Sequence, residues 1–395
     1  MKTNVPIISV KYLRTAALRS AIDPVPSIRR AAARNCAAAA PGTGEYFNSG
    51  TGFPRIYVHR FTPNCCRIGE AFVLFASALS TAFTALLDVE HPVVSAPMAD
   101  AAGGYLAAAV SAAGGLGLIG GAYGDEGWLR REFDRAGDAR VGCGFITWAL
   151  AEQPALLDVA LSYRPAAVML SFGDPAPFAA AVRDSGARLI CQVQDLGQAD
   201  RALGCGADVL VAQGIEAGGH GFGCRTTMTL VPEIVDLVAA RDSTVPVLAA
   251  GGIADGRGLA AALMLGASGV LCGSLFYTAA EALTTPAARE TVAAATGDST
   301  CRTGVYDVIR GYRWPAGHTM SVLRNAFTDR WHGAEADLAA AGDPVAAQYR
   351  QAVAEADYRT ANVTVGQAAG LIGPSAPAGD IMAGLTAEAA RLLAR

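Results

Sequence analysis

The chain has 395 residues, of which 52% are hydrophobic and only 17% carry a charge. A composition this apolar supplies a large core and excludes disorder over most of the chain. The formal net charge of -4 leaves no basic excess, so a nucleic-acid partner is not expected.

The nine cysteines are scattered and include no Cys-x-x-Cys pair, which indicates reduced thiols rather than a disulfide framework or a metal site. No apolar run reaches the roughly 20 residues that a membrane-spanning helix needs. These features predict a cytoplasmic protein without a membrane span and without a structural metal.

Residues 1–80 differ from the rest because they show no strand–helix alternation. Their first part is basic and rich in alanine, with Asp23 as its single acid. Such a composition is typical of an organelle transit peptide. We favour the two alternatives, a disordered extension or non-native sequence upstream of the true start. The features that bear on function therefore lie after residue 80.

From His91 onward, eight short apolar runs alternate with alanine-rich amphipathic stretches. The runs predict strands at Val93–Ala96, Leu116–Ile119, Val141–Ile146, Ala167–Leu170, Arg188–Val193, Asp208–Ala212, Val245–Ala249 and Gly269–Cys272. Intervening helices are predicted at Gly104–Ala113, Pro154–Leu161, Pro175–Asp184, Leu196–Leu203 and Gly256–Leu265.

Apolar strands without strict alternation are typical of parallel sheets that are covered on both faces. Eight β/α units in this length match an α/β fold of the (β/α)₈ TIM-barrel type, here assigned to residues 81–285. A doubly wound open sheet is the alternative, because periodicity alone does not show closure. In both folds, ligands bind at the carboxyl ends of the strands.

Beyond Thr285 the alternation stops. Residues 286–395 are predicted to form a helical appendage, with helices at Pro344–Ala356 and Thr386–Ala394. This region could cap one end of the barrel or pack on its outside.

Three glycine-rich junctions follow the sixth, seventh and eighth predicted strands and contain Gly218-Gly219, Gly251-Gly252 and Gly273-Ser274. Without a Cβ, consecutive glycines allow backbone N–H groups to approach an anion closely. Loops after strands seven and eight form the usual phosphate site of barrel enzymes. The sequence therefore predicts a phosphate site, with His220 beside it as an acid/base or orienting group.

Three motifs together resemble the signatures of the nitronate monooxygenases, formerly called 2-nitropropane dioxygenases. They are His-Pro-Val-Val-Ser-Ala-Pro-Met-Ala at 91–99, Ala-Gly-Gly-His ending at His220, and Ala-Gly-Gly-Ile-Ala-Asp-Gly at 250–256. The resemblance extends from about Phe83 to Trp331. It implies non-covalent FMN, oxidation of alkyl nitronates by molecular oxygen, and a catalytic role for His220.

The same resemblance, together with the junctions, implies a set of FMN contacts. Ala96, Pro97 and Met98 would line the isoalloxazine ring, although Met98 could instead be core filler. Gln192 and Gln213 could bind the pyrimidine edge through their amides. The remaining expected contacts are Gly218, Gly219, Gly251, Gly252, Gly273 and Ser274.

This chain departs from the family pattern at the third strand, where many members carry Gly-Val-Asn. Gly142-Cys143-Gly144-Phe145 stands there, so the polar contact of the asparagine is lost. Phe222 stands where related sequences often have arginine. We expect Phe145, Trp148 and Phe222 to make the substrate pocket more aromatic, which leaves the substrate open.

The expected function is FMN-dependent oxidation of small nitronates or nitroalkanes by oxygen, with His220 orienting or deprotonating the substrate. The alternatives are an NAD(P)H-dependent flavin reductase acting on a quinone or an enoyl thioester, and a flavin-binding protein without turnover. A barrel resembling inosine-monophosphate dehydrogenase would need a nucleophilic thiol, for which Cys224 is the candidate.

Overall fold

The computed structural model describes residues 45–47, 56–58, 79–121 and 123–395. The chain divides into two compact units after Ser80. In the first unit, strands β1 (Glu45–Phe47) and β2 (Ile56–Val58) form an antiparallel pair. The expectation of a disordered or non-native extension falls mainly outside the described residues.

The second unit is built around eight parallel strands. They are β3 (Val93–Ser95), β4 (Leu118–Gly120), β5 (Gly142–Ile146), β6 (Ala167–Ser171), β7 (Arg188–Val193), β8 (Val209–Gln213), β10 (Val247–Ala250) and β11 (Gly269–Cys272). Their order in the sheet is β3-β11-β10-β8-β7-β6-β5-β4.

A backbone bridge between Val94 and Leu116 joins the two ends of this sheet. The Leu116 N–H donates to Val93 O at 3.0 Å, and the Ser95 N–H donates to Leu116 O at 3.0 Å. The sheet therefore closes into a barrel, which confirms the predicted fold and excludes the doubly wound alternative. The predicted strand bounds agree with the observed ones to within two residues.

Helix α1 (Ala82–Leu87) closes the amino end of the barrel. Thr81 caps this helix, and its hydroxyl donates to the carbonyl of Ser268 just before β11. Phe83 and Leu87 are fully buried in one cluster with the interior side chains of the strands. Burial of such a side chain contributes about 1.5–3 kcal/mol. The described residues therefore close the barrel at this end, and the cavity that they form opens at the carboxyl end.

Nine helices of the described chain follow strands of the barrel. They are α2 (Gly104–Ala112), α3 (Glu126–Ala136), α4 (Thr147–Glu152), α5 (Ala155–Ser162), α6 (Ala176–Asp184), α7 (Leu196–Gly204), α8 (Thr227–Ala240), α9 (Gly256–Met264) and α10 (Ser274–Tyr277). No helix in the described ranges is long and apolar enough to cross a membrane.

The C-terminal region contains strands as well as helices. Its elements are α11 (Pro286–Ala293), β12 (Thr300–Thr303), α12 (Val305–Arg310), β13 (His318–Leu323), α13 (Ala326–Trp331), α14 (Glu335–Ala341), α15 (Asp343–Ala354) and α16 (Ala378–Leu393). Strands β12 and β13 form an antiparallel sheet with β9 (Gly219–Phe222), which leaves the barrel after β8.

Both placements considered for this region occur. Helix α16 packs on the outside of the barrel, where Glu388 accepts a 2.9 Å hydrogen bond from the Gly256 N–H of α9. The sheet of β12, β13 and β9 lies at the carboxyl end, because β9 directly follows the loop after β8. The two strands were not predicted from the sequence, and α16 begins earlier than the predicted helix at Thr386–Ala394.

Candidate active site

A cavity of about 820 Å³ opens at the carboxyl ends of the barrel strands. It brings together most of the residues singled out from the sequence. Those that line it are Ala96, Pro97, Met98, Phe145, Gln192, Gln213, Gly218, Gly219, His220, Gly251, Gly252, Gly273 and Ser274. Trp148 and Phe222 are not part of its lining.

The glycine junctions meet along one side of this cavity. Gly251 and Gly252 have φ angles of +102° and +75°, a region that disfavours side chains. A Cβ on Gly251 would lie 3.0 Å from Gly214 O, so the loops after β8 and β10 are in contact. Within the described chain, no group accepts a hydrogen bond from the N–H of Gly252, Gly273 or Ser274. These N–H groups are free to bind an anion.

Two longer helices nearby do not offer free N-termini. Glu216 accepts from the Thr227 N–H at 3.0 Å at the start of α8. Asp255 and Glu388 accept from N–H groups in the first turn of α9. Their carboxylates occupy the positive ends of these helices. The N-termini of these two helices are therefore already occupied by carboxylates, unlike the N–H groups of the junctions.

A segment near Gly366 completes this side of the cavity and was missed in the sequence. The Gly366 N–H donates to Ser274 Oγ at 2.9 Å, and the Gln367 N–H donates to Glu216 O at 2.9 Å. A Cβ on Gly218 would lie only 2.7 Å from Gly366 N. The segment carries no motif and lies 92 residues from Ser274 in the chain, so sequence spacing gives no signal for it.

Three glutamine side chains connect the ends of β7 and β8. Gln213 Oε1 accepts from Gln192 Nε2 at 3.1 Å and from Gln194 Nε2 at 2.5 Å. Gln213 Nε2 donates to His220 O at 3.3 Å. The amide of Gln213 is thus engaged within the protein and anchors β9. Gln192, whose Oε1 has no partner among the described groups, is the amide that remains available to a ligand.

The turn after β3 explains why a glycine, Gly144, stands where many family members have asparagine. A Cβ on Gly144 would lie 2.4 Å from Cγ of Pro97. Any side chain there would displace the proline ring. The asparagine of the family pattern therefore does not fit this arrangement of the Ala96–Met98 turn, and the cavity wall is apolar at this point.

His220 lies on β9, opposite Met320 of β13. Its Nε2 is 3.0 Å from both carboxylate oxygens of Asp307. Its ring stacks on Trp314, with centroids 3.5 Å apart and planes 9° from parallel. Burial lowers the pKa of His220, and the hydrogen bond to Asp307 partly offsets this effect. Asp307 is 87 residues away in sequence and was not predicted.

Aromatic rings cover His220. Tyr123 stacks on Tyr312 at 3.7 Å between centroids, and the Trp314 Nε1–H donates to the Tyr123 hydroxyl at 3.1 Å. Phe172 and Trp148 contact Trp314 edge-on, at 5.0 and 5.5 Å. Trp148 therefore supports the aromatic wall from behind rather than lining the cavity. The aromatic character predicted for this region is present, but Trp314, Tyr123 and Tyr312 supply most of it.

The remaining candidate side chains lie away from this centre. Phe222 is 37% exposed and packs on His318 at 5.2 Å. Cys224 is exposed and does not line the cavity. Burial raises the pKa of Cys143 and Cys272 to about 12, so neither is a thiolate at neutral pH. Within the described ranges, no three His, Cys, Asp or Glu side chains are placed to hold a metal ion.

A closed parallel barrel with a cavity at the carboxyl ends of its strands is the architecture of the TIM-barrel enzymes. Comparison with known proteins identifies the family. The family model for nitronate monooxygenase matches residues 147–388. A nitronate monooxygenase (npaC) of Metarhizium robertsii is 36% identical over 275 residues, which are 62% of this chain and 76% of the relative.

A second relative and a solved structure extend the comparison. The nitronate monooxygenase of Neurospora crassa is 33% identical over 340 residues, covering 75% of this chain and 88% of that protein. The structure of FabK from Thermotoga maritima matches with a TM-score of 0.68 and 32% identity, over 80% of this chain and 97% of that one. The chain belongs to the nitronate monooxygenase family and is an oxidoreductase.

Proposed function

We propose that this protein oxidises alkyl nitronates or nitroalkanes with molecular oxygen, using FMN bound without a covalent link. One observation carries the proposal. Three backbone N–H groups, at Gly252, Gly273 and Ser274, have no partner among the described residues and line the same cavity as the buried imidazole of His220. One bound cofactor could therefore place its phosphate at these N–H groups and its reacting ring beside His220.

The residues of the cavity fit FMN. The free N–H groups would hold its phosphate without any lysine or arginine. The apolar turn Ala96–Met98 would lie against the ring system, and Gln192 would bind its pyrimidine edge. When bound, FMN supplies the electron acceptor for the substrate and the group that reacts with oxygen. The protein supplies placement, polarity and exclusion of water.

The electrostatics beside His220 suit a small anion. Asp307 is paired with Arg310 at 3.2 Å, and Arg310 lines the cavity. A neutral imidazole, a carboxylate and a guanidinium sum to zero, so an arriving nitronate meets no net negative charge. The aromatic wall lowers the local polarity beside the imidazole, where hydrogen bonds to the nitro oxygens would be stronger than in water.

We also propose that residues 81–285 and 286–395 act as one catalytic unit, because Asp307, Trp314 and Gly366 of the second segment complete the site formed by the first. Residues 1–80 have no part in this proposal. A cytoplasmic location is supported by the six cysteines of the described chain that are free.

The test is an absorbance spectrum of the purified protein, followed by anaerobic titration with a nitronate and then with NADH. We expect oxidised-flavin absorbance that is bleached by the nitronate and restored by oxygen. A yellow protein that is bleached by NADH and unaffected by nitronates would reject the proposal. A yellow protein that neither donor reduces would indicate a binding protein without turnover.

The second candidate function is NAD(P)H-dependent reduction of a quinone or an enoyl thioester. The extent of the cavity favours it. Beyond the glycine junctions, the cavity reaches Tyr358, Arg350 and Val353, and Val353 is 53% exposed at the surface. A long substrate with an anionic end could lie in this arm, with Arg350 at its mouth. The NADH arm of the same titration separates this candidate from the first.

A further inference from the structure

We propose that Asp307 is a positioning residue that makes Nδ1 of His220 a base, so that the enzyme takes neutral nitroalkanes as well as preformed nitronates. The inference rests on the proposed function, because it assigns a proton acceptor to the same site. Asp307 lies in the C-terminal region, and no motif of the chain indicates it.

The geometry determines which imidazole nitrogen carries the proton. Both oxygens of Asp307 lie 3.0 Å from Nε2 of His220. A carboxylate can only accept, so Nε2 must donate its hydrogen. A neutral imidazole carries one N–H, and the lone pair therefore resides on Nδ1. Nδ1 has no hydrogen-bond partner in the described chain, and His220 lines the cavity.

The carboxylate is itself fixed in place. Its Oδ1 also accepts from Arg310 Nη2 at 3.2 Å, and Arg310 Nε donates to Tyr306 O at 2.8 Å. The side chains of His220 and Asp307 are only 9% and 8% exposed. Trp314 stacks on the face of the imidazole and so fixes the plane of the ring. The ring therefore has one orientation and one tautomer, which is the arrangement that a general base requires.

The α-proton of a nitroalkane has a defined acceptor at this site. The α-C–H bond breaks, its electron pair enters the nitro group to form the nitronate, and the proton passes to Nδ1. The resulting imidazolium keeps its Nε2–H on Asp307, whose negative charge stabilises it. A preformed nitronate needs no such step. Asp307 should therefore matter for one substrate class and not for the other.

The charged and titratable groups that face the ring are few. Asp307 and Arg310 project from α12, and His318 projects from β13. Arg310 and His318 disfavour the imidazolium, while Asp307 favours it. Removal of the negative charge at 307 should therefore shift the protonation of His220 to lower pH and weaken it as a base.

The experiment compares Asp307→Asn with wild type on a neutral nitroalkane and on its preformed nitronate, both in holoenzyme with measured FMN content. We expect kcat/KM for the neutral nitroalkane to fall by about 10²–10³-fold and its acid limb to move to lower pH. The value for the nitronate should change by less than about threefold, since no proton transfer is needed. Asp158→Asn, the same change at an exposed position on α5, is the matched control and should leave both values unchanged.

Equal losses on both substrates, or no loss on either, would overturn the role of Asp307. If wild type oxidises neither substrate, the proposed function itself fails, and a separate measurement then decides the positioning role. In ¹⁵N NMR of protein labelled at histidine, with the His220→Asn spectrum as reference, wild type should show a protonated Nε2 and a bare Nδ1. Asp307→Asn should show a mixture of tautomers. A wild-type signal with the proton on Nδ1 would refute the inference. If Asp307→Asn does not fold, Asp307→Glu serves instead and should retain the tautomer.

Discussion

Gly218 offers the sharpest test of how the cofactor side of the cavity is built. A Cβ at this position would lie 2.7 Å from Gly366 N and 2.8 Å from the carbonyl carbon of Val365. Ordinary contacts begin near 3.4 Å, so in Gly218→Ala the two segments must separate by about 3.4 − 2.7 = 0.7 Å. Both obstacles are backbone atoms, which cannot rotate away.

That displacement has a calculable consequence. The Gly366 N–H to Ser274 Oγ bond, now 2.9 Å, would stretch to about 3.6 Å, beyond the range of a hydrogen bond. Its loss costs about 1 kcal/mol of folding stability, in the apoprotein as in the holoenzyme, while one misplaced N–H contact to a phosphate costs about 1.5–3 kcal/mol of binding. The binding part corresponds to a Kd for FMN about 10- to 140-fold weaker.

The assay is titration of the apoprotein with FMN, followed by flavin fluorescence. Gly379→Ala in α16 is the control, because a Cβ there meets nothing within 4 Å. We expect the control to bind as wild type does. Wild-type affinity in Gly218→Ala, with the apoprotein equally stable in thermal unfolding, would refute the convergence of these segments on the phosphate.

Four further predictions concern the substrate side and the loop after β8. His220→Asn should retain FMN and lose about 10²–10⁴-fold in turnover of neutral nitroalkanes, measured by oxygen consumption. Because burial lowers the pKa of His220, the neutral base persists to lower pH than in a free histidine. The rate with a nitroalkane should thus rise with pH to a pKa below about 6.5 and then stay level. Trp314→Ala should uncover the imidazole and lower the KM for bulky nitronates relative to small ones. Arg302→Met should weaken FMN binding about tenfold, because Arg302 holds the carbonyls of Ile215 and Ala217 at 3.2 and 3.4 Å.

Each of these predictions has a contrary result. Wild-type turnover by His220→Asn would remove the imidazole from the mechanism. An acid limb well above pH 6.5 would show that the charge of Asp307 outweighs burial. Unchanged selectivity in Trp314→Ala would mean that the aromatic wall does not limit the substrate, and unchanged FMN affinity in Arg302→Met would mean that the loop holds its shape alone.

The barrel was readable in the sequence because its strands are buried on both faces. Runs such as those at 167–170 and 209–212 are apolar throughout, and glycine ends most of the units. The rim glycines were readable for a related reason. A phosphate loop requires residues without Cβ, and position after a strand then places them at one end of the fold.

The partners of His220 were not readable. Asp307 and Trp314 lie in a region without apolar periodicity, and they reach the site only because β13 pairs with β9. That pairing joins segments about a hundred residues apart, through glycine-containing and polar strands that resemble loops. Gly366 reaches Ser274 through a single hydrogen bond between residues 92 positions apart. Long-range pairing of this kind leaves no local pattern in the sequence, so the sequence alone does not reveal these contacts.

The pocket residues show that residue type alone does not establish which side chains line the cavity. Phe145 lines the cavity, whereas Phe222 packs on His318 and Trp148 lies behind Trp314. All three are aromatic residues near the carboxyl rim, and composition alone does not distinguish a wall from its support. The direction of each side chain decides, and for Phe222 that direction follows from β9 leaving the barrel.

In the proposed function, free N–H groups of the glycine junctions hold the phosphate of the cofactor. The most direct measurement compares the Kd of the apoprotein for FMN with that for riboflavin, which has the same ring and no phosphate. Two or more charge-assisted hydrogen bonds at about 1.5–3 kcal/mol each predict at least a hundredfold preference for FMN. Equal affinity for the two flavins, or no affinity for either, would contradict the account.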